Sequence, residues 1–170
     1  MPIDRRSLGL SVFGAAAAAG RSAEAAGPQT GTGGACTPSI TPASFQRYID
    51  AFNRADEAVY GEYYHPDVTL VLGGRRELKG KQAIFDFYKV VRAGTKREIK
   101  VLKCIPTPNS MAVELESEFL ALVDEPQYVE GLKKGDRRWQ NTVVFYEMKD
   151  GKFFHIRSAS FKSEIRRANA

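Results

Sequence analysis

The chain has 170 residues, 43% hydrophobic and 26% charged, a composition that fits one globular domain plus a tail and supplies enough apolar side chains to bury a core. Its net charge is +5, but basic and acidic residues are interspersed, and the tightest basic group, Lys133, Lys134, Arg137 and Arg138, falls in a glycine-containing loop, so no nucleic-acid partner is expected. No apolar run reaches the roughly 18 to 20 residues that a membrane-spanning helix needs, so no membrane association is expected after processing.

The chain opens with Arg5-Arg6, an alanine-rich apolar stretch from Leu8 to Ala19, and Ala23-Glu24-Ala25 as a small-residue cleavage site. That anatomy predicts an export signal over residues 1 to 25, and paired arginines ahead of a weakly hydrophobic segment suit the twin-arginine type. Gly9 stands where that type prefers a bulky apolar residue, so the general export route stays open. The expected location is periplasmic or secreted. Residues 26 to 40, rich in Gly, Thr and Pro, read as a flexible linker. An oxidising compartment permits a bridge between Cys36 in this linker and Cys104, although an apolar strand environment favours a free core thiol at Cys104.

The folded part, residues 41 to 165, begins with Thr41 as a helix N-cap and Pro42 in the first turn. Phe45, Tyr48, Ile49 and Phe52 then recur at the spacing of one helical face. Asp56 caps a second short helix carrying Val59, Tyr60, Tyr63 and Tyr64, closed by His65-Pro66, and a strand follows from Val68 to Leu72. A turn at Gly73-Gly74-Arg75-Arg76 leads to a helix that starts at Gly80 and buries Ile84, Phe85, Phe87, Tyr88 and Val91. Strands are expected from Arg97 to Ile105 and from Met111 to Val123, separated by the turn Thr107-Pro108-Asn109-Ser110. Glu114, Glu116 and Glu118 alternate with Val113, Leu115, Ser117 and Phe119, which predicts solvent-facing acids opposite basic residues of a neighbouring strand.

The last expected unit is the central hairpin, Trp139 to Phe161, turning at Asp150-Gly151. Simple two-residue pairing sets Glu147 opposite Phe154, Phe145 opposite Ile156 and Asn141 opposite Ser160. One face then carries Asn141, Val143, Phe145, Phe154, Ile156, Ser158 and Ser160 toward the helices. Tyr146, Met148, Phe153 and Phe161 fall on the outer face, where exposed apolar area predicts a homodimer built through the sheets. Helices first and long strands afterwards indicate an α+β domain, a cone-shaped curved antiparallel sheet wrapped around the N-terminal helices.

The segments FQRYIDAFNRAD, YYHPDVTLVL, GKQAIFDFY and DGKFFHIRS, in this order, resemble the nuclear transport factor 2-like superfamily, close to its SnoaL-like branch. The resemblance covers roughly Ser44 to Phe161 and implies the cone fold, a scaffold shared by isomerases, dehydratases, cyclases, hydrolases and non-catalytic binders. In its ketosteroid isomerase branch, Tyr48 matches the oxyanion tyrosine. The base would fall in Leu70-Val71-Leu72-Gly73 and the second acid on Val143, so isomerisation by that mechanism is not implied.

These readings give a pocket for a small apolar or aromatic ligand, with Tyr48, Tyr64, Asn141 and Ser158 as ligand-binding residues and no cofactor. His65 and His155 have no partner at metal-ligand spacing, so no metal is expected. The function is either an acid-base lyase, isomerase or cyclase acting on such a substrate, or a non-catalytic dimeric ligand-binding or scaffold module.

Export is testable on the intact gene product. Arg5→Lys with Arg6→Lys should hold the precursor in the cytoplasm if the twin-arginine route is used, scored by fractionation and N-terminal sequencing. Unchanged export removes that route, and a mature protein still beginning at Met1 removes the signal itself.

Overall fold

A computed structural model describes residues 40 to 168; the expected export signal, Cys36 and all of the expected linker except Ile40 lie outside the described residues. Helix α1 (Pro42–Asn53) starts where Thr41 and Ser44 cap each other: the Thr41 hydroxyl accepts from the Ser44 backbone N–H at 3.2 Å, and the Ser44 hydroxyl from the Thr41 N–H at 2.9 Å. Phe45, Tyr48, Ile49 and Phe52 form its buried stripe. The Asp56 carboxylate caps α2 (Glu57–Tyr60), and a 3-10 turn (Gly61–Tyr63) leads into β1 (Tyr64–Leu72). Then come β2 (Arg76–Lys79), α3 (Gly80–Gly94), β3 (Thr95–Pro106), β4 (Ser110–Ala121), β5 (Arg137–Lys149) and β6 (Lys152–Arg166).

The six strands form one curved sheet in the order β2-β1-β6-β5-β4-β3, so the hairpin β5-β6 is central, as its apolar content predicts. The sheet is mixed and not wholly antiparallel, because β1 runs parallel to β6. Turn signals reveal only neighbours in sequence, whereas β1 pairs across nearly the whole domain.

The hairpin turns at Asp150 and Gly151, both at positive φ (52° and 73°), with Lys149 opposite Lys152. Met148 faces Phe153, but the next aligned pair is Glu147 with His155, leaving Phe154 as an extra residue in β6. Beyond this bulge the simple pairing fails by one position: Tyr146 faces Ile156, Val144 faces Ser158 and Thr142 faces Ser160. The cause is burial. Phe153 and Ile156 are three residues apart yet 0% and 3% exposed, and one sheet face can take both only if a residue between them is looped out. Tyr146 and Phe153, expected on the outer face, are therefore core residues, while Phe145 is 51% exposed on the outside.

Aromatic rings gather around one residue of the core. Phe153 lies within ring-contact distance of Phe45, Tyr48, Tyr63, Tyr64 and Tyr146, the nearest at 4.5 Å. At the other end of α1, the Asn53 side chain accepts from the Ile99 N–H at 2.9 Å and donates to the Ile99 carbonyl at 2.8 Å, tying the helix to β3. A smaller cluster, Val91, Phe119, Ala121, Val129 and Leu132, supports the loop between β4 and β5. That loop and the chain's end meet at Asp136, whose carboxylate accepts from the Lys133 and Ala168 backbone N–H groups at 2.9 Å each and from Arg167 at 2.6 Å. The Lys133 N–H first, then the Ala168 N–H and Arg167, hold its pKa down to about 2.

On the outer face Glu114 and Glu116 stand opposite Lys103 and Lys100, and Glu118 pairs with Arg137, the solvent-side arrangement their alternation predicts. Cys104 carries a free thiol against Met111, and burial raises its pKa.

Candidate ligand site

Between α1, α3 and the concave face of the sheet lies a cavity of about 280 Å³. Its deep end is formed by α1 and β1. There the hydroxyls of Tyr48 and Tyr64 are 2.9 Å apart, both side chains are buried, and burial above all raises both phenol pKa values. At neutral pH both are neutral. One hydrogen bond consumes one of their two protons, so the pair keeps a hydroxyl hydrogen to offer a third oxygen. Tyr146 lines the same region, and burial raises its pKa too.

The sheet presents its side chains to the cavity in cross-strand rows. Thr142 and Ser160 are aligned partners whose hydroxyls are 3.1 Å apart, and the Gln140 amide donates to Ser160. Ser158 donates to the Val71 carbonyl at 3.4 Å. A second row reads Arg97, Phe119, Arg138 across β3, β4 and β5. Arg97 Nη2 donates to the buried Ser117 hydroxyl at 3.0 Å, and its guanidinium lies 4.8 Å from the Phe119 ring centre and 5.7 Å from that of Phe52. Arg138 Nη2 donates to the Glu130 carbonyl, and burial is the main influence lowering the pKa of its guanidinium. The Nε atoms of both arginines are buried without a hydrogen-bond partner among the described residues.

At the rim, Tyr128 stacks on Phe87 at 4.9 Å with Arg76 4.2 Å from its ring centre, and Tyr128 holds a positive φ of 69°. Among the described residues, none of those lining the cavity is Asp, Glu or His. His65 Nδ1 accepts from the Asp67 backbone N–H near the hairpin turn, and His155 bonds Thr69.

Of the residues singled out from sequence, Tyr48, Tyr64 and Ser158 line the cavity together. Asn141 does not. Its neighbours Gln140 and Thr142 face inward, so strand alternation turns Asn141 to the outer face, between Glu116 and Lys162. Arg97, Arg138, Gln140 and Thr142 escaped sequence reasoning. Arg97 shares its strand parity with Ile99 and Val101, a pattern that places it inward. Arg138 was hidden by reading it as part of a basic loop, when β5 already begins at Arg137.

A family profile described as a SnoaL-like domain matches residues 45–156. No curated protein matches the chain. Among solved structures, a protein from a Silicibacter species, described as a candidate polyketide cyclase, is 19% identical with a TM-score of 0.60, covering 69% of this chain and 85% of its own. SalBIII, an epoxide hydrolase/cyclase-like enzyme of pyran ring formation in polyether salinomycin, is 16% identical with a TM-score of 0.59, covering 72% and 92%. A computationally designed 17-OHP binder is 15% identical with a TM-score of 0.56, covering 72% and 95%. At these identities the likeness is one of fold.

The tyrosine pair predicts a measurable coupling. Tyr48→Phe or Tyr64→Phe removes one hydroxyl and leaves its buried partner unpaired, so each should cost about 1 kcal/mol, and the double variant should cost less than the two together. Urea unfolding of the four proteins gives the coupling energy directly; additive losses would mean that the two hydroxyls find other partners.

Proposed function

The chain belongs to the SnoaL-like domain family of the nuclear transport factor 2-like superfamily, and we propose from this that its cavity binds a small, largely apolar or aromatic molecule. The observation that carries the reading is the lining: apolar and aromatic walls with a few converging donors, the tyrosine pair deep in the cavity and Gln140, Thr142, Ser158 and Ser160 along one side. A volume of about 280 Å³ suits a ligand of two or three fused rings.

Between an acid-base lyase, isomerase or cyclase and a non-catalytic binder, the geometry favours the binder. Proton abstraction from carbon needs a base with a pKa near the working pH. Burial drives the tyrosines the other way, toward permanent protonation, and among the described residues the lining offers no carboxylate or imidazole. The cavity's phenols and guanidinia are donors, suited to holding an oxygen of the ligand.

The test is a neutral probe, N-phenyl-1-naphthylamine, whose fluorescence rises in apolar surroundings. One probe per chain is expected, and Leu115→Trp, which fills the cavity from β4, should weaken binding at least about tenfold while the circular dichroism spectrum is kept. Failure of the parent protein to take up the probe would sink the pocket reading.

We also propose export, on the grounds of Arg5-Arg6 and Ala23-Glu24-Ala25, and a homodimer through the outer face of the sheet. Support for the dimer now comes from Phe145, Phe161 and Ile105, which are 51%, 62% and 51% exposed on a single chain. Sedimentation velocity at micromolar concentration should give twice the chain mass; a monomer would end this proposal.

A further inference from the structure

The two arginines in the cavity have no use in the binding of a neutral hydrocarbon body. Arg97 reaches inward from β3, surrounded by the rings of Phe52, Tyr88 and Phe119. Those rings attract the cation through their faces, but they do not accept the N–H groups that point along the edge of the guanidinium plane. Of its five N–H groups, one is spent on Ser117, and the Nε–H is shut off from water with no acceptor. Arg138 repeats the pattern from β5, with one bond to the Glu130 carbonyl and a buried, unpartnered Nε–H.

Among the described residues neither guanidinium forms an ion pair with a carboxylate. Arg92, on the neighbouring helix, shows the contrast: it lies 3.9 Å from Glu57 and donates to the Tyr60 hydroxyl and the Phe52 carbonyl. Glu98, Glu116 and Glu118 are turned to the opposite face by strand alternation, the Asp136 carboxylate is taken up by Arg167 and the Lys133 and Ala168 N–H groups, and Glu130 acts on Arg138 only as a secondary influence against burial. Two positive charges thus line a cavity that has no negative charge among its described lining residues. Arg97 and Arg138 are separated by two strand spacings, roughly 10 Å between backbones, with Phe119 between them.

We propose that the ligand of this cavity is an organic acid, whose ring body occupies the apolar part and whose carboxylate meets Arg97, with Arg138 as the second cation. A guanidinium presents parallel N–H groups that match the two oxygens of a carboxylate, and the pair is strongest where water is excluded. The carboxylate supplies an acceptor for the Arg97 N–H groups that Ser117 leaves free, and the Arg138 charge adds to its attraction. This inference rests on the pocket reading above and narrows it from any small aromatic molecule to an acidic one.

The test uses the full chain with two probes of one shape and different charge, 2-naphthoate and 2-naphthamide, at neutral pH by isothermal titration calorimetry. The carboxylate should bind at least about tenfold tighter than the amide. Arg97→Met, which keeps an apolar stem, should weaken naphthoate at least about tenfold and the amide by much less, so that the two affinities draw together. Arg97→Lys should keep part of the preference, since charge is retained and the fork is lost. Arg138→Gln should reduce the preference by less than Arg97→Met does. Should Arg97→Met fail to fold, Arg97→Lys and Arg138→Gln carry the test. Equal affinity for the two probes, or a preference that survives both the Arg97 and the Arg138 substitutions, overturns the inference, as does binding of N-phenyl-1-naphthylamine with no binding of naphthoate. Loss of the neutral probe as well strikes the pocket reading itself.

Discussion

Helix α1 is fastened to the concave face of the sheet at two ends by different forces, and the rest of the molecule is arranged around the space this leaves. At one end Phe45 and Tyr48 press against Phe153, the fully buried ring of β6. At the other the Asn53 amide bonds both backbone groups of Ile99, as a neighbouring strand would. Aromatic packing of this kind stabilises through area and ring geometry, the amide through direction. A straight helix held at both ends across a curved sheet does not touch it everywhere. The cavity is the part of the concave face that α1 does not fill, bounded on its far side by α3 and by the loop that Asp136 anchors.

The chemistry of that space follows from the same frame. Side chains that project from the sheet into an incompletely filled interior need not be apolar, and the polar ones sort by row: hydroxyls and an amide on β5 and β6, arginines on either side of Phe119. The groups that satisfy one another, Tyr48 with Tyr64 and Thr142 with Ser160, pre-orient the wall. Those that do not, the two buried Nε–H groups, mark where the protein's own hydrogen-bond accounting stays open.

Local signals in the sequence were reliable wherever local physics decided the outcome. Thr41-Pro42 and the Phe45, Tyr48, Ile49, Phe52 spacing read as a capped helix because capping and helical periodicity are settled within one or two turns. Asp150-Gly151 read as a turn because few other pairs accept two positive φ values in succession. The short strand β2 was invisible because Arg76, Glu77, Leu78 and Lys79 show almost no alternation and are ordered by pairing with β1. The parallel contact of β1 with β6 depends on partners more than 80 residues apart, and no turn announces it. Asn141 was misplaced for a third reason: the face of a strand is a parity, and one looped-out residue in β6 reverses it for everything aligned beyond.

That looped-out residue, Phe154, makes the polarity of the interior a matter of counting. The strand beyond it reads Ile156, Arg157, Ser158, Ala159, Ser160, two interleaved sets of which only one sees the cavity. Taking Phe154 into a regular ladder would offer the interior Arg157 and Ala159 in place of Ile156, Ser158 and Ser160, whereas deleting Phe154 would leave those three inward, opposite the same β5 partners. One further residue inserted in β6 and taken into the ladder would have the same effect, a larger step in ligand preference than point substitution gives. A gap opposite Phe154 is then silent for the cavity wall, while an extra residue beyond it rewrites that wall.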